Sequence, residues 1–270
     1  MNRFRRCIVV CLLGVSTAWV YAEDAQRERI NPTLSERDDY FYARQSALFL
    51  GDVREILANH APTTAKSFER TMAFRLLDAV AHEPYAPNRP ELIEFHHERI
   101  EQAIREMETT QVTEGARIWQ LYNHGYVVRT KSVTLGFDVV RGPARTELQN
   151  ETGRDVQVPT PEFPISDALA KRLADQCDVL FISHWHPDHA DPYMSKLMMD
   201  QGKPVVATTE TFSKEKSRQG FGAEREALHN GLLFLERKTH LVQQLPIQQG
   251  KVTLNLIVYP GHQANHLCNN

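Results

Sequence analysis

Residues 181–191 read FISHWHPDHAD. Three imidazoles, His184, His186 and His189, and the carboxylate of Asp188 crowd into one short loop directly after an apolar run. His184 and His186 are two apart, so at the end of a strand both rings can face one point. Asp188 and His189 follow in a loop opened by Pro187. Neutral imidazole nitrogens suit Zn²⁺ or a similar transition metal. A carboxylate beside a further histidine can hold a second ion close by. A histidine-rich loop that is merely solvated would have no need to follow a buried strand. A tetrahedral catalytic ion takes three protein ligands and one water, so the first ion needs a ligand from another part of the chain. His262 answers that need, in the Pro-Gly turn of VYPGHQ, again just after an apolar run.

The elements that must position these side chains change in texture along the chain. Residues 23 to about 112 carry apolar residues at helical spacing. Examples are Phe68, Met72, Leu76 and Leu77 in one segment, and Ile93, Ile100, Ile104 and Met107 in another. The three prolines of EPYAPNRP break the pattern, and Pro90 can open the next helix, where its missing N–H has no partner to lose. From Ala116 the period shortens. ARIWQLYNHGYVVRTKSVTLGFDVVRG is rich in β-branched and aromatic residues and predicts two or three strands in a meander. ELQNETGRDVQVPTPEFP reads as a polar loop. SDALAKRLADQ predicts a helix with Ser166 or Asp167 as its N-cap, and CDVLFIS a short buried strand. A helix over 192–201, a strand at PVVAT and a strand at KVTLNLIVYP follow. Strands that come to alternate with helices imply an α/β fold, with helices packed on a sheet.

The sequence His184-Trp185-His186-Pro187-Asp188-His189 matches the HxHxDH signature of the metallo-β-lactamase-fold hydrolases, and the chain resembles that family over about residues 117–270. Gly261-His262 resembles its second histidine motif. Asp138, after SVTLGFD, resembles the aspartate that supports the metal site from behind the ligands. The resemblance implies an αβ/βα sandwich with the metals on one edge, preceded here by a helical segment over 23–112. It implies His184, His186 and His262 on a first ion and Asp188 and His189 on a second, with a metal-bound hydroxide as nucleophile and Asp188 among the catalytic groups. One or two Zn²⁺ ions, or another transition metal, would be the cofactor. The substrates it implies are small molecules: esters, lactones, lactams, thioesters or phosphodiesters. The family pattern continues past its Gly-His to a bridging aspartate and a further histidine. No acidic residue follows Glu236 here, so the domain over 113–270 is expected to lack its C-terminal part. The alternative function is a metal-binding but non-catalytic protein or an inactive fragment.

Other histidines read differently. His124, in YNHGYVV, is a polar turn residue that could otherwise reach the site edge. His96 and His97, among Glu94, Glu98 and Arg99, read as a solvated helix face. His266 stands too close to His262 to be presumed a ligand, and Trp185 reads as packing.

Composition narrows the class. A chain of 270 residues with 41% hydrophobic residues and a formal charge of −3 is an ordinary globular protein. It lacks the basic excess expected of a nucleic-acid binder. Arg3, Arg5 and Arg6, an apolar run from Cys7 to Val20, and small residues before Glu23 have the three parts of a secretory signal over 1–22. The mature chain is therefore expected in the periplasm or outside the cell, with no stable membrane anchor. Export would let Cys177 and Cys268 pair, but geometry decides that, and Cys177 can equally be a buried small hydrophobe.

Overall fold

A computed structural model describes residues 38–62, 65–81, 89–149, 155–216, 222–236 and 241–258. The leader expected over 1–22, His262, His266 and Cys268 lie outside these. The chain forms two compact units, one of residues 1–92 with 147–157 and the other of residues 93–146 with 158–270. Among the described residues no helix is long and apolar enough to cross a membrane.

The first unit contains helices α1 (Asp38–Asn59) and α2 (Phe68–Ala81), which pack on each other. Leu50, Val53, Ala73 and Val80 are buried. Ser67 starts α2: its Oγ accepts from Arg70 N at 3.2 Å, and Arg70 Nη1 donates to His60 O at 2.8 Å. These bonds satisfy backbone groups that a helix end leaves without partners.

The second unit is a mixed α/β structure. Its central sheet runs in the order β1 (Ala116–Gln120), β2 (Tyr126–Thr130), β3 (Thr134–Phe137), β6 (Val179–Phe181), β7 (Val205–Ala207) and β8 (Leu233–Phe234). The β1–β2 and β2–β3 pairs are antiparallel; β3–β6, β6–β7 and β7–β8 are parallel. Helices α3 (Pro90–Thr109), α4 (Asp167–Gln176), α5 (Pro192–Asp200) and α6 (Ala223–Gly231) contribute to one core with it. Ile100, Ile104 and Met107 of α3 meet there with Trp119, Val127, Leu173, Leu180, Met194 and Met198. Most of α3 therefore belongs with the sheet unit, not with the helices that precede it in sequence. Ser166 is the N-cap of α4, its Oγ accepting from Leu169 N.

Arg129 on β2 ties the end of α3 to the sheet. Its guanidinium donates to the carbonyls of Met107 and of Thr110 (3.2 Å), to Gln176 Oε1 (2.8 Å) and to Thr134 Oγ1 (3.0 Å). A cation at the C-terminal end of a helix satisfies orphan carbonyls and complements the dipole.

Two expectations need correction. The segment over 145–162 is not a loop: β4 (Arg145–Gln149) and β5 (Asp155–Glu162) form a separate two-stranded sheet, with an Arg145–Glu162 ion pair. Pro159 and Pro161 are tolerated because each strand of a two-stranded sheet is an edge, where a missing N–H need not break a ladder. Nor is His96 on a solvated face. It lies four residues from both Leu92 and Ile100, so it falls on the buried stripe of α3. Its ring packs edge-on against Phe95 and Tyr122, with centroids 5.5 and 4.9 Å away. Its Nε2 is sealed from solvent without a hydrogen-bond partner. Burial pushes its pKa down from 6.5 to about 4. A further hairpin, β9 (Gln243–Ile247) and β10 (Val252–Leu256), covers part of the expected terminal strand.

Two predictions follow from these contacts. Arg129→Met leaves helix-end carbonyls without their donor and should destabilise the protein by roughly 2–3 kcal/mol, measured by urea unfolding at pH 7. For His96 the folded pKa lies below the unfolded one, so its contribution is present above 6.5 and lost as the pH falls toward 4. At about 1.4 kcal/mol for each pH unit, that is on the order of 3 kcal/mol over the interval. His96→Phe should lose correspondingly less stability between those two pH values than the parent, seen in unfolding curves at both.

Candidate metal centre

The sheet topology brings the candidate residues to one edge. Strands β3, β6 and β7 run parallel, so the loops after them leave on the same side. Two antiparallel reversals make β1 point the same way as β3, and the β1–β2 turn therefore emerges there too. Asp138 follows β3, Ser183–His189 follow β6, and Asn123-His124 form the turn. The crevice at the carboxyl ends of parallel strands is where open α/β sheets place their ligands.

Asp138 is the hub. Its backbone sits in the left-handed region at φ 46°, an uncommon state for a residue with a Cβ but one aspartate tolerates. The conformation is held by its N–H, which donates to Phe181 O at 2.9 Å. Its carboxylate turns toward the loop: Oδ1 accepts from Ser183 N at 2.7 Å, and Oδ2 accepts from Ser183 Oγ at 2.7 Å and from His189 Nδ1 at 2.9 Å. Burial alone would raise the carboxyl pKa, but the hydrogen bonds from His189 and Ser183 outweigh it and hold the group below the usual carboxylate range. The opposite holds for His189. Burial would lower its pKa, but the bond to Asp138 and the charge of Asp188 lift it above an ordinary imidazole.

Proton bookkeeping then fixes which nitrogens are free. Ser183 has one hydroxyl proton, given to Asp138, so toward His184 Nδ1, 3.0 Å away, it can only accept. His184 is thus protonated on Nδ1 and carries its lone pair on Nε2. His189, donating from Nδ1 to Asp138, likewise presents Nε2. His184 is buried, and burial followed by repulsion from His189 and His186 lowers its pKa, favouring the neutral form a metal needs. His184 Nε2 and His186 Nδ1 stand 2.9 Å apart. Two nitrogens on one tetrahedral ion, at ~2.0–2.1 Å from it, stand roughly 3.3 Å apart. A small opening would let an ion take both lone pairs in place of the shared proton. A carboxylate–histidine pair such as Asp138–His189 is how proteins orient a metal-binding imidazole. The donor set fits a transition metal.

Comparison with family models, with curated proteins and with solved structures finds no match.

Of the residues expected at the site, His184, His186, Asp188, His189 and Asp138 come together, with Asp188 Oδ2 3.6 Å from His189 Nε2. His262 lies outside the described residues. Trp185 is half-buried, its ring 4.3 Å from that of His186, with Lys216 Nζ 4.9 Å from its centroid. Three contributors were not legible as such. Ser183 joins Asp138 to His184. Asp191 caps α5, its Oδ1 accepting from Tyr193 N and Met194 N, while its Oδ2 accepts from Arg141 N at 2.8 Å. Arg141, between the rings of Phe163 and Tyr193 at 4.1 and 4.0 Å, completes the anchor. The segment 138–141 thus holds the histidine loop at both ends.

In the metal-free protein the Asp138–His189 pair has a defined pH window. The raised His189 gives stability that is lost as the pH rises through its folded pKa, and the depressed Asp138 gives stability lost as the pH falls through its own. Asp138→Asn should lower the His189 pKa, read by NMR titration of the imidazole resonances. An unchanged His189 titration would break the assignment of that hydrogen bond.

Proposed function

We propose that the protein is a metal-dependent hydrolase with the metallo-β-lactamase-type αβ/βα arrangement, exported from the cytoplasm and acting on a small-molecule ester, lactone, lactam, thioester or phosphodiester. What supports this is the HisxHisxAspHis loop at the carboxyl end of a parallel strand, braced by a buried aspartate whose hydrogen bonds leave the lone pairs of His184 and His189 on Nε2.

His184 through Nε2 and His186 through Nδ1 would hold one Zn²⁺ or similar ion, and His189 through Nε2 with Asp188 a second. A bound ion of this kind lowers the pKa of water toward neutrality and polarises a carbonyl or phosphoryl oxygen. Asp138 keeps the proton on His189 Nδ1, so that Nε2 stays available. Ser183 does the same for His184 by accepting from Nδ1. Asp188 is exposed, so it can meet solvent and substrate. Its carboxylate is placed to bind, to orient a water and to accept a proton. Arg141 and Asp191 fix the far end of the loop, which keeps the ligands in register during turnover.

The test is metal content and hydrolysis by the full chain, with His186→Ala alongside. Zinc should be retained through dialysis, and one class in a panel of the five bond types should be cleaved. The variant should lose more than the ~100-fold that removal of an outer hydrogen-bond partner alone can cost. A parent chain that retains no transition metal, or a variant that keeps both metal and turnover, would overturn the proposal.

A further inference from the structure

We propose that His124 is a metal ligand, closing with Asp188 and His189 a second transition-metal subsite beside the His184–His186 pair. This rests on the metal reading given above and assigns to the second ion a ligand from the β1–β2 turn.

The topology places the turn at the right edge, and specific contacts hold it against the histidine loop. Asn123 adopts the left-handed conformation at φ 55°, and its Nδ2 donates to Asp188 O at 3.2 Å. At Gly125 a Cβ would lie 3.1 Å from Tyr122 O and 3.3 Å from Asp138 O. The missing side chain lets the turn close onto the segment that bears the bracing aspartate. His124 then lies over His189, their ring centroids 4.7 Å apart and their planes 12° from parallel. One ligand atom from each of His124, Asp188 and His189 falls within 4.8 Å of the other two.

The chemistry of the three groups is complementary. His189 has Nδ1 committed to Asp138, so its free nitrogen is Nε2, the one facing Asp188. Two imidazole nitrogens and one carboxylate oxygen are the donor set of many open zinc sites, with the fourth position left to water or substrate. An ion shared by two parallel rings needs their planes to converge. His124 is exposed, so turning its ring about Cβ–Cγ meets little resistance, whereas His189 is fixed by its aspartate. Binding therefore converts the stack into a chelate by moving the exposed ring alone. Asp188 and His124 both being exposed also leaves the ion open to a substrate.

The experiment is titration of the full chain with Co²⁺, followed by visible absorption, and with Zn²⁺ in competition with a chromophoric chelator. The parent is compared with His124→Phe, which keeps a stacking ring but has no nitrogen, and His124→Cys, which restores a ligand atom. The parent should take up two ions. His124→Phe should bind the first unchanged and the second more than the ~100-fold weaker that loss of an outer partner can cause. His124→Cys should recover the second ion, with a sulfur-to-cobalt charge-transfer band that a purely structural role would not produce. Two ions bound by His124→Phe with parental affinities would overturn the assignment and leave the metal reading standing. So would a parent chain that binds one ion only. A parent chain that binds neither metal would overturn both.

Discussion

The hydrogen bonding of one carboxylate organises the candidate site. Asp138 must be ionised to accept from Ser183 N, Ser183 Oγ and His189 Nδ1 together, and those bonds hold it ionised against the cost of burial. Because its acceptors are filled in this way, the protons on two histidines are placed on their Nδ1 atoms and the lone pairs on Nε2. Remove the carboxylate and the tautomers are no longer set, Ser183 is free to reverse its hydroxyl, and the histidine loop keeps only one of its two side-chain ties to the 138–141 segment, that of Asp191 to Arg141. The left-handed backbone at Asp138 belongs to the same arrangement: strain of order 1 kcal/mol is accepted to aim one side chain.

The sheet supplies the rest through direction. Parallel pairing of β3, β6 and β7, with the double reversal through β2, sends four connections to one edge. The 138–141 segment then acts as a two-ended clamp, Asp138 at the start of the histidine loop and Arg141 on Asp191 at its end. Asp191 passes the constraint on by capping α5, whose Met194 and Met198 sit in the main core. The short strands, three residues in β6 and three in β7, are therefore sufficient: helix caps and side-chain bonds fix the loop, not strand length.

Much of this was legible in sequence, for physical reasons that differ by residue. The histidine spacing is explicit, because i and i+2 after an apolar run leave few other uses. The helices and the meander followed from period, and Ser166 from capping chemistry. Asp138 was reached by resemblance; nothing in its own neighbourhood separates it from other aspartates in loops. Ser183 carries no signal, since its role depends on two groups that only the fold brings near. His96 misled because its flanking residues are charged, whereas burial depends on neighbours three and four positions away. The β4–β5 hairpin was hidden by its prolines, which exclude a central strand but not an edge. The helix and strand over 223–234 are short, and Leu228 and Leu232 hold them to the core. His124 has the composition of a turn, and only the reversal of β1 and β2 carries it to the site.

The most direct measurement is X-ray absorption at the zinc edge of the loaded full chain. The account predicts nitrogen and oxygen neighbours at ~2.0–2.1 Å, the outer-shell scattering of at least two imidazoles, and no sulfur. A sulfur neighbour at ~2.3 Å, or an oxygen shell with no imidazole scattering, would contradict it, because the lone pairs that Asp138 and Ser183 set would then not be the ones holding the metal.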